Sequence, residues 1–173
     1  MKRLLLLLTI AAAGCSTASP PETTTSAIPE PTSVTSAVSS TSLPGGIRLP
    51  EALPDGIGVG TVDLDGRELV VALADTAVLR SQGLMNVDDL LDLDGMLFIF
   101  SEDGRRGFWM KNTLLPLDIA FFDVDGGFVD RLLMEPCDTG PCPIYRPGGE
   151  YRYALEMVAG TMPPDPQRMI ILD

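Results

Sequence analysis

The sequence predicts a mainly β domain, either a β-sandwich or a barrel-like fold of about seven or eight short strands with one short helix, behind a disordered N-terminal stalk. Three observations support this class. Short apolar or alternating segments recur after residue 57, separated by turns rich in Gly and Asp. Only one segment has the capping residues of a helix, and neither an internal repeat nor βαβ alternation is visible. Before residue 57, Ser, Thr and Pro dominate the composition.

The first fourteen residues have the features of a signal peptide. Two basic residues precede an apolar run from Leu4 to Ala13, which is too short to span a bilayer but suits a signal-peptide core. Small residues come directly before Cys15, as in the bacterial lipoprotein signal, in which the cysteine is lipidated and becomes the first residue. We therefore expect residues 1–14 to be removed and a lipid on Cys15 to anchor the protein outside the cytoplasm. The alternative is a plain secretory signal cleaved near Ala13.

The following segment, residues 15–56, is predicted to be the stalk. Between Ser16 and Pro50, 21 of 35 residues are Ser, Thr or Pro. A segment of this composition cannot bury enough apolar surface to offset the entropy that ordering would cost, so we expect it to be disordered. It would then hold a folded domain, residues 57–173, away from the membrane. The alternative is a glycosylated or ligand-binding tail.

Within the domain, local signals place the helix and eight candidate strands. Asp65-Gly66 is typical of a two-residue hairpin turn. Asp75-Thr76 can cap a helix that ends at Gln82, where Gly83 stops it. The predicted strands are Val59–Leu64, Arg67–Leu73, Gly95–Phe100, Gly107–Asn112, Leu117–Val124, Phe128–Met134, Tyr151–Ala159 and Met169–Leu172. Alternation after residue 150 predicts that four large side chains share one face, namely Tyr151, Tyr153, Leu155 and Met157.

The composition excludes several classes of function. The chain has 12 Lys and Arg against 24 Asp and Glu, a net charge of −12, which argues against a nucleic-acid partner. It has no histidine, which excludes an imidazole base, nucleophile or metal ligand. The glycines lie at turns and do not form a phosphate-binding loop. We predict no cofactor and a monomeric domain.

Three acidic segments resemble metal-binding loops only superficially. Asp63–Gly66 and Asp123–Gly126 have their glycine three residues after the first aspartate, whereas the calcium loop has it five residues after. We interpret both as hairpin turns. The segment Asp88–Asp94 is interpreted as a solvated acidic loop, with a cation site as the alternative, and no metal ligands are assigned.

Cys137 and Cys142 are expected to form a disulfide, because an exported protein meets an oxidising environment. The alternative, a redox centre, normally has only two residues between its cysteines and lies at the start of a helix. Four residues separate this pair.

Asp118 and Glu156 stand inside apolar segments, so each carboxylate needs a partner or its pKa rises. The sequence offers three cations as partners: Arg80, Lys111 and Arg152. The first interpretation is a buried structural ion pair, and another is a site that binds a ligand without chemistry. The alternative is that Asp118 and Glu156 act as acid and base in a hydrolytic reaction.

The segment Phe108–Asp118 is the best candidate for a binding site. If its first part is a strand, Phe108 and Met110 face one way while Trp109 and Lys111 face the other. The only tryptophan of the chain would then lie beside an ammonium group and Asn112, a combination typical of small-ligand or sugar pockets. The alternative places Trp109 in the core, Lys111 along the surface and Asn112 in a turn.

Several of these segments, taken together, resemble a family known as domain of unknown function 192. They are Arg80 with Gly83-Leu84-Met85, Gly95-Met96-Leu97-Phe98, Phe108-Trp109-Met110-Lys111-Asn112-Thr113, Pro116-Leu117-Asp118, Pro136-Cys137, Cys142, Ala154-Leu155-Glu156 and Ala159-Gly160. The resemblance covers about residues 73–160 and implies a compact, mainly β domain, commonly exported, with no established activity. It ends where prolines in residues 161–166 replace the longer amphipathic stretch usual in the family.

We therefore predict a lipid-anchored envelope protein whose domain binds a small or glycan-like ligand without catalysis. The expected ligand-binding residues are Arg80, Trp109, Lys111, Asn112 and Asp118. Two alternatives remain at this point: a hydrolase of the cell envelope that uses Asp118 and Glu156, and a scaffold that contacts another envelope protein.

Overall fold

The structure, a computed structural model, describes residues 46–172, so the predictions for the signal peptide, Cys15 and most of the stalk lie outside it. It contains β1 (Gly58–Leu64), β2 (Arg67–Ala74), α1 (Ala77–Gln82), β3 (Gly95–Gly104), β4 (Leu117–Phe122), β5 (Phe128–Met134), β6 (Tyr151–Val158) and β7 (Met169–Leu172). The predicted fold class, mainly β with one short helix, is confirmed. Within the described range no helix has the length and apolar character that crossing a membrane requires.

Local sequence signals explain the first hairpin and the helix. Asp65 (φ 54°) and Gly66 (φ 87°) both adopt the left-handed conformation that a tight hairpin turn of type I′ requires. Thr76 Oγ1 accepts a hydrogen bond from the backbone N–H of Leu79 at 3.2 Å and caps α1. The N–H of Gly83 (φ 52°) donates to the Leu79 carbonyl at 2.9 Å and ends the helix. The predictions of the hairpin and of both helix ends are confirmed.

The seven strands form one sheet in the order β5-β4-β6-β3-β2-β1-β7. Neighbours are antiparallel except β2 and β3, which run parallel because the chain crosses over through α1. The sequence shows no βαβ alternation, but the prediction that such a unit is absent was wrong. The helix has only six residues, too few for its apolar period to indicate packing over a sheet.

The sheet curls until its two edge strands meet at one corner. Gly127 bridges to Arg168, and the N–H of Met169 donates to the Gly126 carbonyl at 2.9 Å. A side chain at Gly126 (φ 79°) would overlap the carbonyl oxygen of Met169, so this close approach needs glycine. The result is a half-barrel with a concave and a convex face.

Both faces of the half-barrel are buried. The concave face holds a core from six strands, including β4 and β7, together with Met162. The convex face holds a second core, which residues 47–57 and the segment 84–93 cover. Because β4 lies between two cores, all six of its residues are buried. This position explains its nearly continuous apolar sequence.

Residues 46–56, which the sequence analysis assigned to the stalk, belong to the folded domain. Ile47 and Leu53 pack on the convex core, where Leu53 is only 8% exposed. Arg48 forms an ion pair with Asp92 at 2.6 Å. These few apolar residues directly follow a long polar segment. Composition alone therefore predicts the start of the folded domain at residue 57, about ten residues after its actual start.

The predicted strand Gly107–Asn112 is not part of the sheet. It forms only two isolated bridges, Phe108 with Tyr145 and Lys111 with Cys137. Tyr145 and Cys137 both lie in the irregular loop before β6. No local sequence pattern predicts that this loop pairs with the segment. The prediction of a strand is therefore wrong here, although the inward and outward alternation persists.

Tyr151 does not share a face with the other large side chains of β6. It packs with Phe100 and Phe121 on the convex face, whereas Tyr153 packs with the concave core. The register of β3 against β6 shifts between Ile99 and Gly104, and this irregularity breaks the alternation.

The proline-containing segment 161–166 forms turns that side chains from other elements hold in place. Arg131 Nη1 donates to two of its proline carbonyls at 3.1 and 2.9 Å. The Asp65 carboxylate then accepts the backbone N–H groups of Gln167 and Arg168 at 2.8 and 2.9 Å. Side-chain hydrogen bonds from Arg131 and Asp65 thus fix the path of the chain into β7.

Candidate functional site

A narrow cleft opens on the convex face between the end of α1 and the segment 108–113. Its solvent-accessible volume of about 30 Å³ suits about two water molecules, or one polar group of a larger ligand. Four parts of the chain supply its lining: Arg80, Ser81, Gln82, Gly83, Leu84, Met85, Phe98, Phe108, Trp109, Thr113 and Glu156.

Trp109 lies at the cleft and is 50% exposed. On either side of it, Phe108 packs on the convex core and Met110 is buried within that core. The indole therefore belongs to the outward side of the segment, as the alternation of residues 108–111 predicts. An exposed indole on a rigid support offers a flat apolar surface to a ligand.

The segment 108–113 is held by backbone pairing with the loop before β6. Phe108 and Tyr145 exchange two backbone hydrogen bonds of 2.8 Å each, and the Cys137 N–H donates to the Met110 carbonyl at 3.2 Å. The structure joins Cys137 to Cys142 by a disulfide, with Cα atoms 5.8 Å apart. This cross-link closes the loop that supports the segment.

Glu156 lies in the middle of the sheet and opens into the cleft. It is opposite Met96 on β3 and Ile119 on β4, and both of these neighbours are fully buried. Gly95 allows this packing, because a side chain there would overlap the carbonyl oxygen of Glu156. The carboxyl group is consequently surrounded by apolar groups except on its cleft side.

Burial raises the pKa of Glu156 from 4.5 to about 8. None of the ion pairs formed within residues 46–172 includes Glu156, so nothing there offsets the loss of hydration. At neutral pH the side chain is mostly a neutral carboxylic acid. In this form it can donate one hydrogen bond into the cleft and accept another.

Asp118 is buried on the opposite face of the sheet. Residues paired across neighbouring strands share a face: Ile119 is opposite Glu156, and Asp118 is opposite Met157 of the concave core. Asp118 forms an ion pair with Arg131 at 2.9 Å and accepts the N–H of Gly160 at 2.8 Å. Because the sheet separates the two carboxyl groups, Asp118 and Glu156 cannot act as acid and base on one substrate.

None of the three cations expected to pair with Asp118 or Glu156 does so; each one contacts another group. Arg80 donates to backbone carbonyls, Lys111 Nζ donates to the Asp138 carbonyl at 2.8 Å, and Arg152 pairs with Asp103. The actual partner of Asp118 is Arg131, which lies on β5 opposite Ala120 and so diagonally across the β4–β5 pair from Asp118. Strand pairing of this kind is not visible in the sequence.

Of the five predicted ligand-binding residues, the cleft brings together Arg80 and Trp109. Lys111, Asn112 and Asp118 do not line it. Asn112 (φ 55°) forms a turn at the end of the segment, where its backbone is hydrogen-bonded to Asn86 and Cys137.

The acidic segments take structural roles. Asp92 pairs with Arg48, and the Asp94 carboxylate accepts the backbone N–H of Val70 at 2.9 Å. Asp123 accepts the N–H groups of its own turn, as predicted for a hairpin. Within the described part of the chain, no group of three or more acidic, cysteine or histidine side chains could hold a metal ion.

The cleft residues that the sequence analysis missed lie mostly within the segments that carry the family resemblance. Nine of the eleven lining residues belong to those segments, and the exceptions are Ser81 and Gln82. The sequence interpretation of Glu156 was a member of a buried ion pair or, together with Asp118, an acid or base. One signal could have identified these residues: the separate segments that carry the family resemblance could meet at one site in the fold.

The first test concerns the pH dependence that Glu156 contributes to stability. Its pKa is about 8 in the folded chain and close to 4.5 when unfolded, so the folded state binds more protons between these values. The free energy of unfolding should therefore fall as the pH rises through this window, by up to about 5 kcal/mol for a shift of this size. Glu156→Gln cannot ionise and should lack this fall.

Urea unfolding of the wild type and of Glu156→Gln across this pH range measures the difference. The control is Asp103→Asn, which removes a carboxylate whose side chain is 42% exposed and should keep the pH dependence of the wild type. Equal pH dependence in the wild type and Glu156→Gln would contradict the raised pKa.

Two solved structures are similar to the chain. A protein from Sinorhizobium meliloti 1021, described as a candidate transcription regulator, is 32% identical, with a TM-score of 0.58 over 66% of this chain and 95% of that chain. A protein of unknown function from Novosphingobium aromaticivorans DSM 12444 is 26% identical, with a TM-score of 0.56 over 71% of this chain and 93% of that chain.

No functionally curated protein matches the chain. The model of the family DUF192, described as an uncharacterized ACR, matches residues 60–164, which is more than half of the chain. This range contains every residue that lines the cleft. The chain belongs to the DUF192 family.

Proposed function

We propose that this protein is an extracytoplasmic lipoprotein whose domain binds a small or glycan-like ligand of the cell envelope in the cleft. A lipid on Cys15 would anchor it to the bacterial membrane, and the Ser-, Thr- and Pro-rich segment would hold the domain away from the surface. The sequence of residues 1–15 supports the anchor. The binding proposal depends chiefly on one observation, the opening of the buried Glu156 carboxyl into a cleft beside the exposed Trp109.

The two sides of the cleft suit the two kinds of surface on a sugar. The exposed indole of Trp109 can pack against the apolar face of a pyranose ring. The neutral carboxyl of Glu156 and the hydroxyl of Thr113 can exchange hydrogen bonds with a hydroxyl group. Because the cleft holds only about 30 Å³, the ring would lie on Trp109 and only one of its polar groups would enter.

The geometry favours binding without catalysis. Hydrolysis by paired carboxyl groups needs both groups in one open cleft, flanking the scissile bond, with the two carboxyls about 5–10 Å apart. Of the residues that line the cleft, Glu156 is the only carboxylic acid, and Asp118 lies behind the sheet. We therefore assign no catalytic residue.

A role in transcription, for which the Sinorhizobium protein is a candidate, is not transferred to this chain. The net charge of the present chain, −12, is unfavourable for contacts with the phosphate backbone of a nucleic acid.

Replacement of Trp109 tests the binding proposal. Since Trp109 is 50% exposed and lies outside the buried core, Trp109→Ala should leave the free protein folded, with a lower melting temperature from the lost half of its contacts. It should abolish the rise in melting temperature that chito-oligosaccharides or other envelope glycans cause in the full chain. Leu114→Ala is the matched control, because Leu114 is 51% exposed, is near Trp109 in sequence and does not line the cleft.

A rise in melting temperature that survives in Trp109→Ala would place the binding site elsewhere. No rise with any glycan, peptide or divalent ion in the wild type would contradict the proposed function.

A separate experiment tests the anchor. Cys15→Ser removes the sulfur that would carry the lipid, so the protein should move from the membrane fraction to the soluble extracytoplasmic fraction when cells are fractionated. Cys137→Ser keeps Cys15 and should stay with the membrane. Membrane association of Cys15→Ser equal to the wild type would contradict lipid anchoring at this residue.

A further inference from the structure

We infer that the cleft takes an anionic ligand, a sugar that carries a carboxylate or phosphate group, and that Arg80 binds this group with support from Arg106. The inference rests on the proposed function and names its ligand class. It follows from the position of Arg80 in the cleft lining and of a second arginine, Arg106, against the same aromatic ring, Phe100.

Arg80 lines the cleft with its guanidinium group held in one orientation. Nη1 donates to the carbonyls of Asp75 at 2.6 Å and Ile99 at 2.7 Å, and Cζ lies 4.9 Å from the centre of the Phe100 ring. Within residues 46–172, Nε and Nη2 of Arg80 have no hydrogen-bond partner. A guanidinium group fixed on one side and open on the other is arranged to bind an anion from solvent.

Arg106 places a second positive charge beside the same ring. Its Cζ lies 4.7 Å from the centre of Phe100, so the two guanidinium carbons are at most about 10 Å apart. Arg106 Nη1 donates to the Glu102 carbonyl at 3.0 Å, and its own carbonyl accepts the buried Tyr151 hydroxyl at 3.1 Å. These contacts hold the second charge in place.

Neither arginine is neutralised by a carboxylate of the described residues. The four ion pairs there use other arginines: Arg48, Arg67, Arg131 and Arg152. The acidic residue closest to Arg106 in sequence, Asp103, forms an ion pair with Arg152 at 2.8 Å. In a chain with twice as many acidic as basic residues, Arg80 in the cleft lining and Arg106 against the same Phe100 ring, both without ion pairs, form a local site for negative charge.

The rest of the cleft agrees with an anionic sugar. Trp109 offers a flat surface for the ring. Glu156, buried among Met96 and Ile119, presents a neutral carboxyl group, which does not repel an anion and can donate to one of its hydroxyl groups. An ionised carboxylate at this position would oppose the ligand that Arg80 attracts.

The chain's single tryptophan makes the test specific, because tryptophan emission reports on Trp109 alone. The full-length protein is titrated with an oligogalacturonate, which carries carboxylates, with glucose 1-phosphate, and with a neutral chito-oligosaccharide. At least one anionic probe should bind about 10-fold or more tightly than the neutral one, because charge-assisted hydrogen bonds are stronger than neutral ones. Its affinity should fall as salt is added. The two anionic probes distinguish a carboxylate from a phosphate.

Arg80→Gln should weaken the preferred anionic probe about 10-fold and leave the neutral probe unaffected. Arg168→Gln is the matched control, because it removes the same charge from an exposed side chain at the distant corner of the sheet. If Arg80→Gln does not fold, Arg106→Gln replaces it and should weaken the same probe several-fold.

The outcomes separate this inference from the proposed function. Equal binding of neutral and anionic probes in the wild type, unchanged by the arginine variants, overturns the anionic ligand and leaves sugar binding intact. No change in emission or melting temperature with any of the three probes counts against both.

Discussion

The fold takes the carboxyl group of Glu156 out of water without giving it a counter-ion, and the candidate site depends on this constraint. β6 runs between β3 and β4, so Glu156 has Met96 and Ile119 on its two sides. Ionising the group there would cost free energy, and it remains mostly protonated at neutral pH. A neutral acid that opens into a cleft can donate a hydrogen bond to a ligand. Perturbed groups of this kind concentrate at functional sites.

Asp118 shows how the same fold treats a buried carboxylate in a structural role. It lies on the other face of the sheet, pairs with Arg131 and accepts the backbone N–H of Gly160. Arg131 also binds the proline-containing segment before β7, so this ion pair connects β4 and β5 with the end of the chain. The carboxylate of Asp118 is paired and helps to hold the segment before β7 in place. The carboxyl group of Glu156 has no ion-pair partner within residues 46–172 and faces solvent through the cleft. The difference in surroundings separates a structural role from a candidate functional one.

The sequence predicted the elements better than their arrangement. The turn at Asp65-Gly66, the cap at Thr76 and the strand β5 depend on neighbouring residues, and all three agree with the structure. Pairing between distant segments has no local signal. For this reason the partner of Asp118, the bridge from Phe108 to Tyr145 and the change of face at Tyr151 were not predicted.

The candidate site was predicted only in part, because it too depends on pairing between distant segments. Arg80 and Trp109 carry distinctive chemistry and could be selected from the sequence alone. Glu156 could be identified as a buried carboxyl group, but its face relative to Asp118 depends on the register of β4 against β6. Lys111 and Asn112 share the segment of Trp109, yet the turn and the contact with Asp138 direct them away from the cleft. Sequence proximity to the tryptophan was therefore a poor guide to membership of the site.

The protonation state of Glu156 can be measured directly. The side-chain carboxyl carbon is followed by NMR as the pH of the full-length protein is varied, and its signal is assigned by its loss in Glu156→Gln. The midpoint should lie near pH 8, because burial between apolar neighbours raises the pKa to about 8. A midpoint near 4.5, the ordinary value for this side chain, would contradict the central claim that the cleft contains a neutral acid.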